Sequence, residues 1–291
     1  MVHRIASGLL ALLLLSTVSR GESHPSYLGF DRNDYPGDAA LPVLRMTFRY
    51  SSYWLNNPPG EQHNSWVGKR LLLKQQGFGF LVLFNGRLDA QLKGKDAAAL
   101  GAMDGRAAVA AAAKEGFRPN VLIFLDQEEG GRLLSEQAAY LFAWVDTVRR
   151  AGARAGVYCS GIEVPDGSGT ISTAQDVLER EFTRSRETPQ NANLQSSGRQ
   201  KLALWVANDQ CPPSPGCTTK DLPASIPLSS AVSDSAVVWQ YAQSPRRAQW
   251  TASCPKNYDP DGNCYAIELL RSASTFLDLD TAKSPDPSEA P

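Results

Sequence analysis

The sequence predicts a single α/β domain folded as a (β/α)8 barrel of the TIM-barrel type. Three observations support this prediction. The chain has 291 residues, which suits a barrel of about 250 residues with short extensions. Between residues 22 and 280, short apolar runs alternate with amphipathic runs, as in parallel α/β folds. Eight of the apolar runs have the length of a strand.

Composition and charge narrow the class of protein. Hydrophobic residues make up 42% of the chain and 23 residues are glycine, which together is near the globular average and excludes general disorder. The 29 Lys and Arg residues balance the 30 Asp and Glu residues. Because no net field would attract a polyanion, we exclude nucleic acid as a partner.

The eight predicted strands are separated by polar or glycine-rich sequence. They are Tyr27–Asp31, Met46–Tyr50, Phe78–Phe84, Val121–Asp126, Ala155–Cys159, Leu202–Ala207, Ala236–Tyr241 and Tyr265–Leu270. The late connections are rich in loops, so we expect the barrel to be irregular in its last third. After Asp280 the chain is rich in Pro, Ser and Asp, and we expect residues 281–291 to form a disordered tail.

Three of the predicted helices have readable ends. The first follows Asp104 as N-cap and stops at Gly116. The second begins at Ser135 and ends before Gly152. The third opens with the capping-box pattern Ser172-x-x-Gln175. Its predicted buried residues are Ala174, Val177, Leu178 and Phe182.

Residues 1–21 have the three parts of a secretory signal peptide. A basic start at His3 and Arg4 precedes the apolar run Ile5–Leu15, and small residues Ser19 and Gly21 stand before a cleavage point. An uncleaved membrane anchor is the alternative, but this run is shorter than the roughly 20 residues that span a bilayer. We expect a secreted or periplasmic protein that has no membrane association after cleavage.

The five cysteines agree with export. Cys211, Cys217, Cys254 and Cys264 lie in loop-like sequence, and their spacing favours the bridges Cys211–Cys217 and Cys254–Cys264 among three possible connectivities. A zinc site is the rival interpretation, but the spacings lack a tight C-x2-4-C pattern and the chain has 3 His. Cys159 lies in an apolar strand, which predicts a buried free thiol.

The segment with most chemical information is the strand that ends in Asp126-Gln-Glu128. Because side chains alternate along a strand, Asp126 and Glu128 project from one face, at the carboxyl end where barrel enzymes keep their chemistry. Neighbouring carboxyls split their pKa values, so one can serve as general acid while the other stays ionised. The alternative is a solvated acidic loop.

Other predicted strands end in groups of the kind that bind sugars. Aromatic rings stack on sugar C–H faces, and carboxylates and amides bind hydroxyls. The residues of this kind are Asp31, Trp205, Asn208, Trp239, Gln240 and Tyr241. The alternative for Trp205 and Trp239 is a place in the barrel core.

Several of these segments resemble the family 25 lysozyme-like glycoside hydrolases and, more closely, their bacterial relatives described as glycoside-hydrolase-like domains of unknown function. The matching pieces are Gly29–Asp31, Phe48–Tyr50, Asp126–Glu128, Ala155–Tyr158, Leu204–Ala207 and Val238–Tyr241. The resemblance implies a (β/α)8-like barrel in which Glu128 is the acid, supported by Asp126 and Asp31. It also implies that Arg49 and Tyr50 contribute to substrate binding.

The sequence departs from the lysozymes at two places. The lysozymes carry a further Asp on the final strand, and the nearest position here is Glu268. Asn208-Asp209 replaces the tyrosine that often follows the Trp-x-Ala pattern. The uncharacterised relatives have no general substrate that could be carried over.

The sequence favours a secreted glycosidase of β-linked, N-acetylated polysaccharides such as peptidoglycan. Glu128 would donate the proton, and Asp126 or Asp31 would stabilise the oxocarbenium-like state. Retention, inversion or participation of the N-acetyl group remain alternatives. A catalytically silent carbohydrate- or envelope-binding barrel is the second interpretation, and a metal-dependent hydrolase, which lacks His ligands, is the third. We expect no cofactor or metal, and a monomer.

Overall fold

A closed barrel of eight strands occupies the centre of the computed structural model, which describes residues 26–187, 201–219, 235–254, 257–265 and 275–289. The strands of the described residues are β1 (Tyr27–Asp31), β2 (Tyr50–Trp54), β3 (Gly79–Asn85), β4 (Leu122–Asp126), β5 (Arg154–Ser160), β6 (Val164–Asp166), β7 (Gly169–Ile171), β8 (Ala203–Ala207), β9 (Ala236–Ala242) and β10 (Asp278–Ala282). All but β6 and β7 belong to the barrel, and β6 and β7 form a separate antiparallel hairpin.

The pairing of the strands confirms the predicted barrel and its irregular last third. From β1 through β5 to β8 and β9, neighbouring strands are parallel. The last strand, β10, closes the barrel by pairing antiparallel with both β9 and β1. The carboxyl ends of seven strands therefore meet at one end of the barrel, and β10 begins there because it runs the other way.

Two of the predicted strands are wrong. The second strand begins at Tyr50, not at Met46, because the chain is still turning out of a short helix there and Met46 is 81% exposed. The predicted eighth strand begins at Tyr265, which lies outside any strand, and residues 266–274 lie outside the described residues. The eighth strand of the barrel is β10, in which Asp278, Asp280 and Thr281 interrupt the apolar pattern.

The helices lie outside the barrel. The described residues contain α1 (Leu41–Arg45), α2 (Arg70–Gln75), α3 (Asp89–Leu92), α4 (Ala97–Lys114), α5 (Ser135–Arg150) and α6 (Thr173–Glu187). Helix α5 has the predicted bounds. In α6 the capping box is formed, since the Ser172 N–H donates to Gln175 Oε1 at 2.9 Å and the Gln175 N–H donates to Ser172 Oγ at 3.2 Å. Phe182 of α6 is 63% exposed, so its predicted burial is wrong.

Helix α4 begins earlier than its sequence predicts. Asp96 is the N-cap and accepts the Ala99 N–H at 2.9 Å. Asp104, predicted to be the cap, lies inside the helix, where it pairs with Arg87 at 2.6 Å. Gly101 permits a close approach to α5, because a Cβ there would lie 2.1 Å from the Tyr140 carbonyl oxygen. No helix of the described residues has the length and apolar character needed to cross a bilayer.

The segment after β10 closes the opposite, amino-terminal end of the barrel. The Val82 N–H donates to Ser288 Oγ at 2.9 Å, and the Leu122 N–H donates to the Ser288 carbonyl oxygen at 2.9 Å. Glu289 pairs with Arg70 at 2.9 Å. The prediction of a disordered tail is therefore wrong for residues 281–289. The polar residues that suggested disorder instead form hydrogen bonds with the backbone of the barrel strands. Residues 290–291 lie outside the described residues.

Two disulfides join the segments that follow β8 and β9. The bridges are Cys211–Cys254 and Cys217–Cys264, with Cα–Cα distances of 5.6 and 5.2 Å. The predicted connectivity is wrong because the two segments lie side by side, as the hydrogen bond from the Cys217 N–H to the Asn257 carbonyl oxygen shows. Each bridge therefore links one segment to the other. Cys159 is a buried free thiol, as predicted. The predicted signal peptide lies outside the described residues.

Candidate functional site

A polar cavity of about 150 Å³ opens at the carboxyl ends of the barrel strands. It brings together five of the residues selected from the sequence: Asp31, Asp126, Glu128, Trp205 and Gln240. It also contains residues that sequence reasoning missed: Asn33, Trp54, Leu83, Tyr158, Gln243 and Asp278.

Asp126 is a buried carboxyl of the cavity. It is the last residue of β4, and it is 3% exposed. As a carboxylate, neither of its oxygens accepts a hydrogen bond from the described residues. Burial, followed by the charges of Glu128 and Asp31, raises the pKa of Asp126 well above its ordinary value. A protonated Asp126 gains a partner, because it donates a hydrogen bond to the Glu128 carboxylate.

Glu128 lies two residues beyond Asp126 and remains accessible to solvent at the cavity. Partial burial by the surrounding protein raises the pKa of Glu128, whereas the hydrogen bond with Asp126 and the charge of Arg247 lower it. Because both pKa values in this pair are raised, the pair holds a proton at higher pH than isolated carboxyls do. Of the two groups, Glu128 is the one that an incoming ligand can reach.

Asp31 ends β1 and faces the same cavity. Its Oδ2 atom accepts a hydrogen bond from Gln240 Nε2 at 2.9 Å. Burial raises the pKa of Asp31 from 3.8 to about 6, against the opposing effect of the Gln240 and Asp280 hydrogen bonds. Asp31 is therefore largely ionised at neutral pH.

The two carboxyls of β10 complete the acidic group. The Asp278 carboxylate accepts the Ser244 N–H at 2.6 Å, and Asp280 accepts the Trp205 indole N–H at 2.9 Å. Burial and the neighbouring Asp31 raise the pKa values of both well above the ordinary range. The sequence carried a signal for them, since Asp278-Leu-Asp280 repeats the alternation of Asp126-Gln-Glu128.

The final strand therefore carries its carboxyls at positions other than the one selected from the sequence. The prediction assigned Glu268 to this strand, and Glu268 lies outside the described residues. The strand that closes the barrel begins ten residues later in the chain, at Asp278. Asp278 lines the cavity directly, and Asp280 lies deeper in the barrel, fully buried.

Trp205 lies in the barrel interior beneath the carboxyls. It is 1% exposed, and its ring makes edge contacts with Tyr158 and Phe124 at centroid distances of 4.9 and 5.8 Å. Its indole N–H is committed to Asp280. Trp205 thus lines the cavity and also belongs to the core, so both interpretations of this residue describe part of its environment.

Five other predicted site residues lie away from the cavity: Arg49, Asn208, Trp239, Tyr241 and Tyr50. Arg49 precedes β2 and so lies at the amino-terminal end of the barrel. The alternation of β9 turns Trp239 and Tyr241 to the face opposite Gln240, where their polar atoms donate to the Asn208 and Thr218 carbonyl oxygens. Asn208 is a loop residue whose Oδ1 accepts the Gln210 N–H.

Tyr50 fills the barrel interior rather than the cavity. A Cβ on Gly29 would lie 1.9 Å from Tyr50 Cε2, so glycine at position 29 makes room for this ring. The match of these segments to a sugar-binding family therefore reflects, in part, how the barrel core is filled.

No group of three or more His, Cys, Asp or Glu residues in the described part of the chain is arranged to hold a metal ion. What the arrangement offers is proton storage, ionised oxygen and hydrogen-bond donors in one small space.

Comparison with known families identifies the family of the chain. A family model described as an Rv2525c-like, glycoside hydrolase-like domain matches residues 48–215, more than half of the chain. The chain belongs to this family. The match contains Asp126, Glu128 and Trp205, whereas Asp31 and β10 lie outside it. The resemblance seen in the sequence is confirmed, and no curated protein matches the chain.

Solved structures include similar barrels. An uncharacterised protein from B. stearothermophilus is 20% identical with a TM-score of 0.57, over 88% of this chain and 95% of that chain. The Tat-secreted protein Rv2525c of Mycobacterium tuberculosis, solved with L-tartrate, is 12% identical with a TM-score of 0.49, over 92% and 100%. A family 25 glycosyl hydrolase from Bacillus anthracis is 10% identical with a TM-score of 0.41, over 91% and 95%. The B. stearothermophilus protein shares the fold of this chain.

Proposed function

We propose that this glycoside hydrolase-like protein is an exported glycosidase that cleaves β-linked, N-acetylated glycans such as peptidoglycan. The observation that carries the proposal is the pair of carboxyls at the end of β4. Asp126 is buried, and as a carboxylate it accepts no hydrogen bond from the described residues, whereas Glu128 beside it is accessible. A buried orphan carboxyl costs stability, and such groups persist where they serve function.

The roles of the carboxyls follow from their environments. Glu128 donates the proton to the departing glycosidic oxygen, because it is the member of the pair that a glycan can reach. Asp126 holds the shared proton and passes it to Glu128 as the glycosidic bond breaks. Water then forms the new bond to the sugar carbon and gives one proton back to the carboxyl pair. Asp31, held as a hydrogen-bond acceptor by Gln240, stabilises the positive charge that develops on the sugar ring.

The glycan needs more room than the cavity provides. At about 150 Å³ it is smaller than the roughly 300–1,000 Å³ typical of ligand sites. A groove of about 410 Å³ lies at the carboxyl ends of β2 and β3, and the N–H of its lining residue Gly86 donates to the Asp126 carbonyl oxygen at 3.2 Å. Its lining residues are Asn56, Asn57, Phe84, Asn85, Gly86, Arg87, Gln91 and Asp104.

The chemistry of this groove suits an uncharged sugar ring. Asn57 and Asn85 donate their amide nitrogens to backbone carbonyls at 3.0 and 2.9 Å, which leaves the amide oxygens to accept from hydroxyls. Arg87 is neutralised by a bidentate pair with Asp104. We therefore place the sugars beyond the cleaved bond in this groove.

Export rests on the signal-like residues 1–21 and on the two disulfides, which form and persist in oxidising compartments. Secretion places the protein where cell-wall glycans are found. It is equally compatible with the second candidate function, a catalytically silent envelope-binding barrel. The small cavity and the burial of Trp205 favour that second candidate.

A hydrolysis assay separates the two candidates. The oxidised protein is incubated with purified peptidoglycan and with chitin oligosaccharides, and new reducing ends are measured while products are identified by mass spectrometry. The proposal predicts turnover of at least one of these glycans. Binding of a glycan without new reducing ends would support the silent barrel instead.

A further inference from the structure

A chain of three hydrogen bonds connects a loop arginine to the floor of the cavity. Arg247 Nε donates to Gln243 Oε1 at 2.9 Å, and Gln243 Nε2 donates to Gln240 Oε1 at 2.9 Å. Gln240 Nε2 in turn donates to Asp31 Oδ2 at 2.9 Å. The chain thus begins outside the barrel and ends on a carboxyl of the proposed site.

The direction of this chain is set at its outer end. A guanidinium has donors and no acceptor, so the Gln243 atom that faces Arg247 must be the amide oxygen. Gln243 must then present its NH2 group to Gln240, and Gln240 must present its NH2 group to Asp31. Tyr158 also donates to Gln240 Oε1, but a hydroxyl can donate or accept and so fixes no direction.

Arg247 is itself held in place from the neighbouring loop. It forms an ion pair with the buried Asp209 at 3.5 Å. The bridge Cys211–Cys254 ties together the segments that carry Asp209 and Arg247. The outer end of the chain is therefore anchored by groups that do not touch the cavity.

We propose that Arg247 is a positioning residue, which acts through Gln243 and Gln240 to keep a donor aimed at Asp31 and so to hold Asp31 as the ionised carboxylate of the cavity. The structural part of this inference stands without catalysis. Its consequence for turnover rests on the proposed glycosidase function.

Other charged and titratable groups face Asp31 and have to be separated from this effect. From β4, β10, β2 and β5 they are Asp126, Glu128, Asp278, Asp280, Tyr50 and Tyr158. Arg247 also acts on Glu128 through its charge. A test therefore needs a variant that breaks the chain and keeps this charge.

The experiment is a carboxyl NMR titration of the full, oxidised chain labelled with ¹³C at aspartate, with the Asp31 signal assigned by its loss in Asp31→Asn. Gln243→Met keeps the charge of Arg247 and removes the relay. Arg247→Met removes the donor, Arg247→Lys restores a residue that only donates, and Arg246→Met removes a charge one residue away without touching the chain.

The inference predicts that the Asp31 midpoint rises by roughly 0.5–1 pH unit in Gln243→Met and Arg247→Met, the range that corresponds to one neutral hydrogen bond. Arg247→Lys and Arg246→Met should leave it near the wild-type value. An unchanged Asp31 midpoint in folded Gln243→Met would overturn the inference. This outcome can be measured even if Arg247→Met fails to fold. A midpoint that rises as much in Arg246→Met would show a charge effect and overturn it too.

The titration uses no substrate, so its result is independent of whether the protein hydrolyses any glycan. If the wild type is active, the acidic limb of its kcat/KM profile should move upward in Gln243→Met in parallel with the NMR midpoint. A loss of activity with an unchanged pH profile would show that Gln243 acts only on structure and would contradict a positioning role.

Discussion

The two ends of the barrel differ in the hydrogen bonding of their buried polar groups. At the amino-terminal end, the backbone N–H groups of Phe80, Val82 and Leu122 each find an acceptor in the segment 286–288. At the carboxyl end, neither oxygen of an ionised Asp126, nor Oδ2 of Asp280, accepts a hydrogen bond within the described residues. The chain itself bonds these strand N–H groups at one end, whereas these carboxylate oxygens lack a donor among the described residues at the other.

We infer from this difference that the amino-terminal end serves stability and that the carboxyl end serves the proposed chemistry. Buried polar groups that bond within the protein add to the free energy of unfolding, whereas orphaned carboxyls reduce it. Gly79 illustrates the closed end, since a Cβ there would lie 2.2 Å from the Pro285 carbonyl oxygen. We expect substitutions at the closed end to change stability and those at the open end to change chemistry.

The largest expected effect is loss of the closing segment. A chain that ends at Lys283 loses the acceptors of three strand N–H groups and the pair between Arg70 and Glu289. At about 1 kcal/mol for each hydrogen bond, and more for the buried pair, the free energy of unfolding should fall by about 5 kcal/mol. Urea unfolding measures this, and a loss below about 1 kcal/mol would contradict the assignment.

Removal of a disulfide should cause the second-largest loss of unfolding free energy. The bridge Cys211–Cys254 closes a separation of 43 residues, for which chain entropy predicts about 4 kcal/mol of stabilisation. The double substitution Cys211→Ala and Cys254→Ala should lower the unfolding free energy by this amount. Cys159→Ala is the control, because that thiol forms no bridge. Equal losses in both variants would show that packing, not cross-linking, is responsible.

At the open end, neutralising a carboxyl should stabilise the protein. The pKa of Asp31 is higher in the folded protein, about 6, than its ordinary 3.8. Its contribution to stability is therefore complete below pH 3.8 and is lost as the pH rises through about 6. This difference corresponds to roughly 3 kcal/mol.

Asp31→Asn keeps the acceptor for Gln240 and removes the charge. Its free energy of unfolding should exceed that of the wild type by about 2–3 kcal/mol at pH 8, and the gap should close as the pH falls towards 4. Melting temperatures measured across this range test the prediction. A variant that is less stable than the wild type at pH 8 would contradict the raised pKa.

The smallest effect concerns the groove beside the cavity. Asn57→Ala removes one acceptor for a sugar hydroxyl, so oligosaccharide affinity should fall about three- to tenfold. Asn120→Ala makes the same change at the amino-terminal end, just before β4, and should leave affinity unchanged. Equal effects of the two substitutions, measured by calorimetric titration, would remove the groove from the proposed site.

The sequence predicted the parts of the fold that follow an apolar pattern. Strands β1, β3, β4, β5, β8 and β9 lie within about one residue of their predicted bounds because their apolar runs are uninterrupted. It missed β10, whose Asp278 and Asp280 turn polar side chains into the barrel. The same inward polarity makes these residues part of the acidic cavity.

Alternation along β4 predicted that Asp126 and Glu128 lie on one face, and both line the cavity, but contacts between strands could not be predicted. The order of Cys211, Cys217, Cys254 and Cys264 in the chain does not reveal that two loops lie side by side. For Trp239, the aromatic residue type does not show which face of the strand it occupies. The relay from Arg247 to Asp31 joins β9 to its following loop and to β1, and no local pattern indicates it.

The central claim, that the open end of the barrel transfers a proton to a glycan, is tested most directly at Glu128. Glu128→Gln keeps the size and hydrogen bonding of the side chain and removes the transferable proton. On an oligosaccharide that the wild type cleaves, kcat should fall about 10²-fold or more while Kd and the melting temperature stay near wild-type values. Wild-type protein that binds glycans without cleaving them, and that Glu128→Gln matches in every measurement, would contradict the claim.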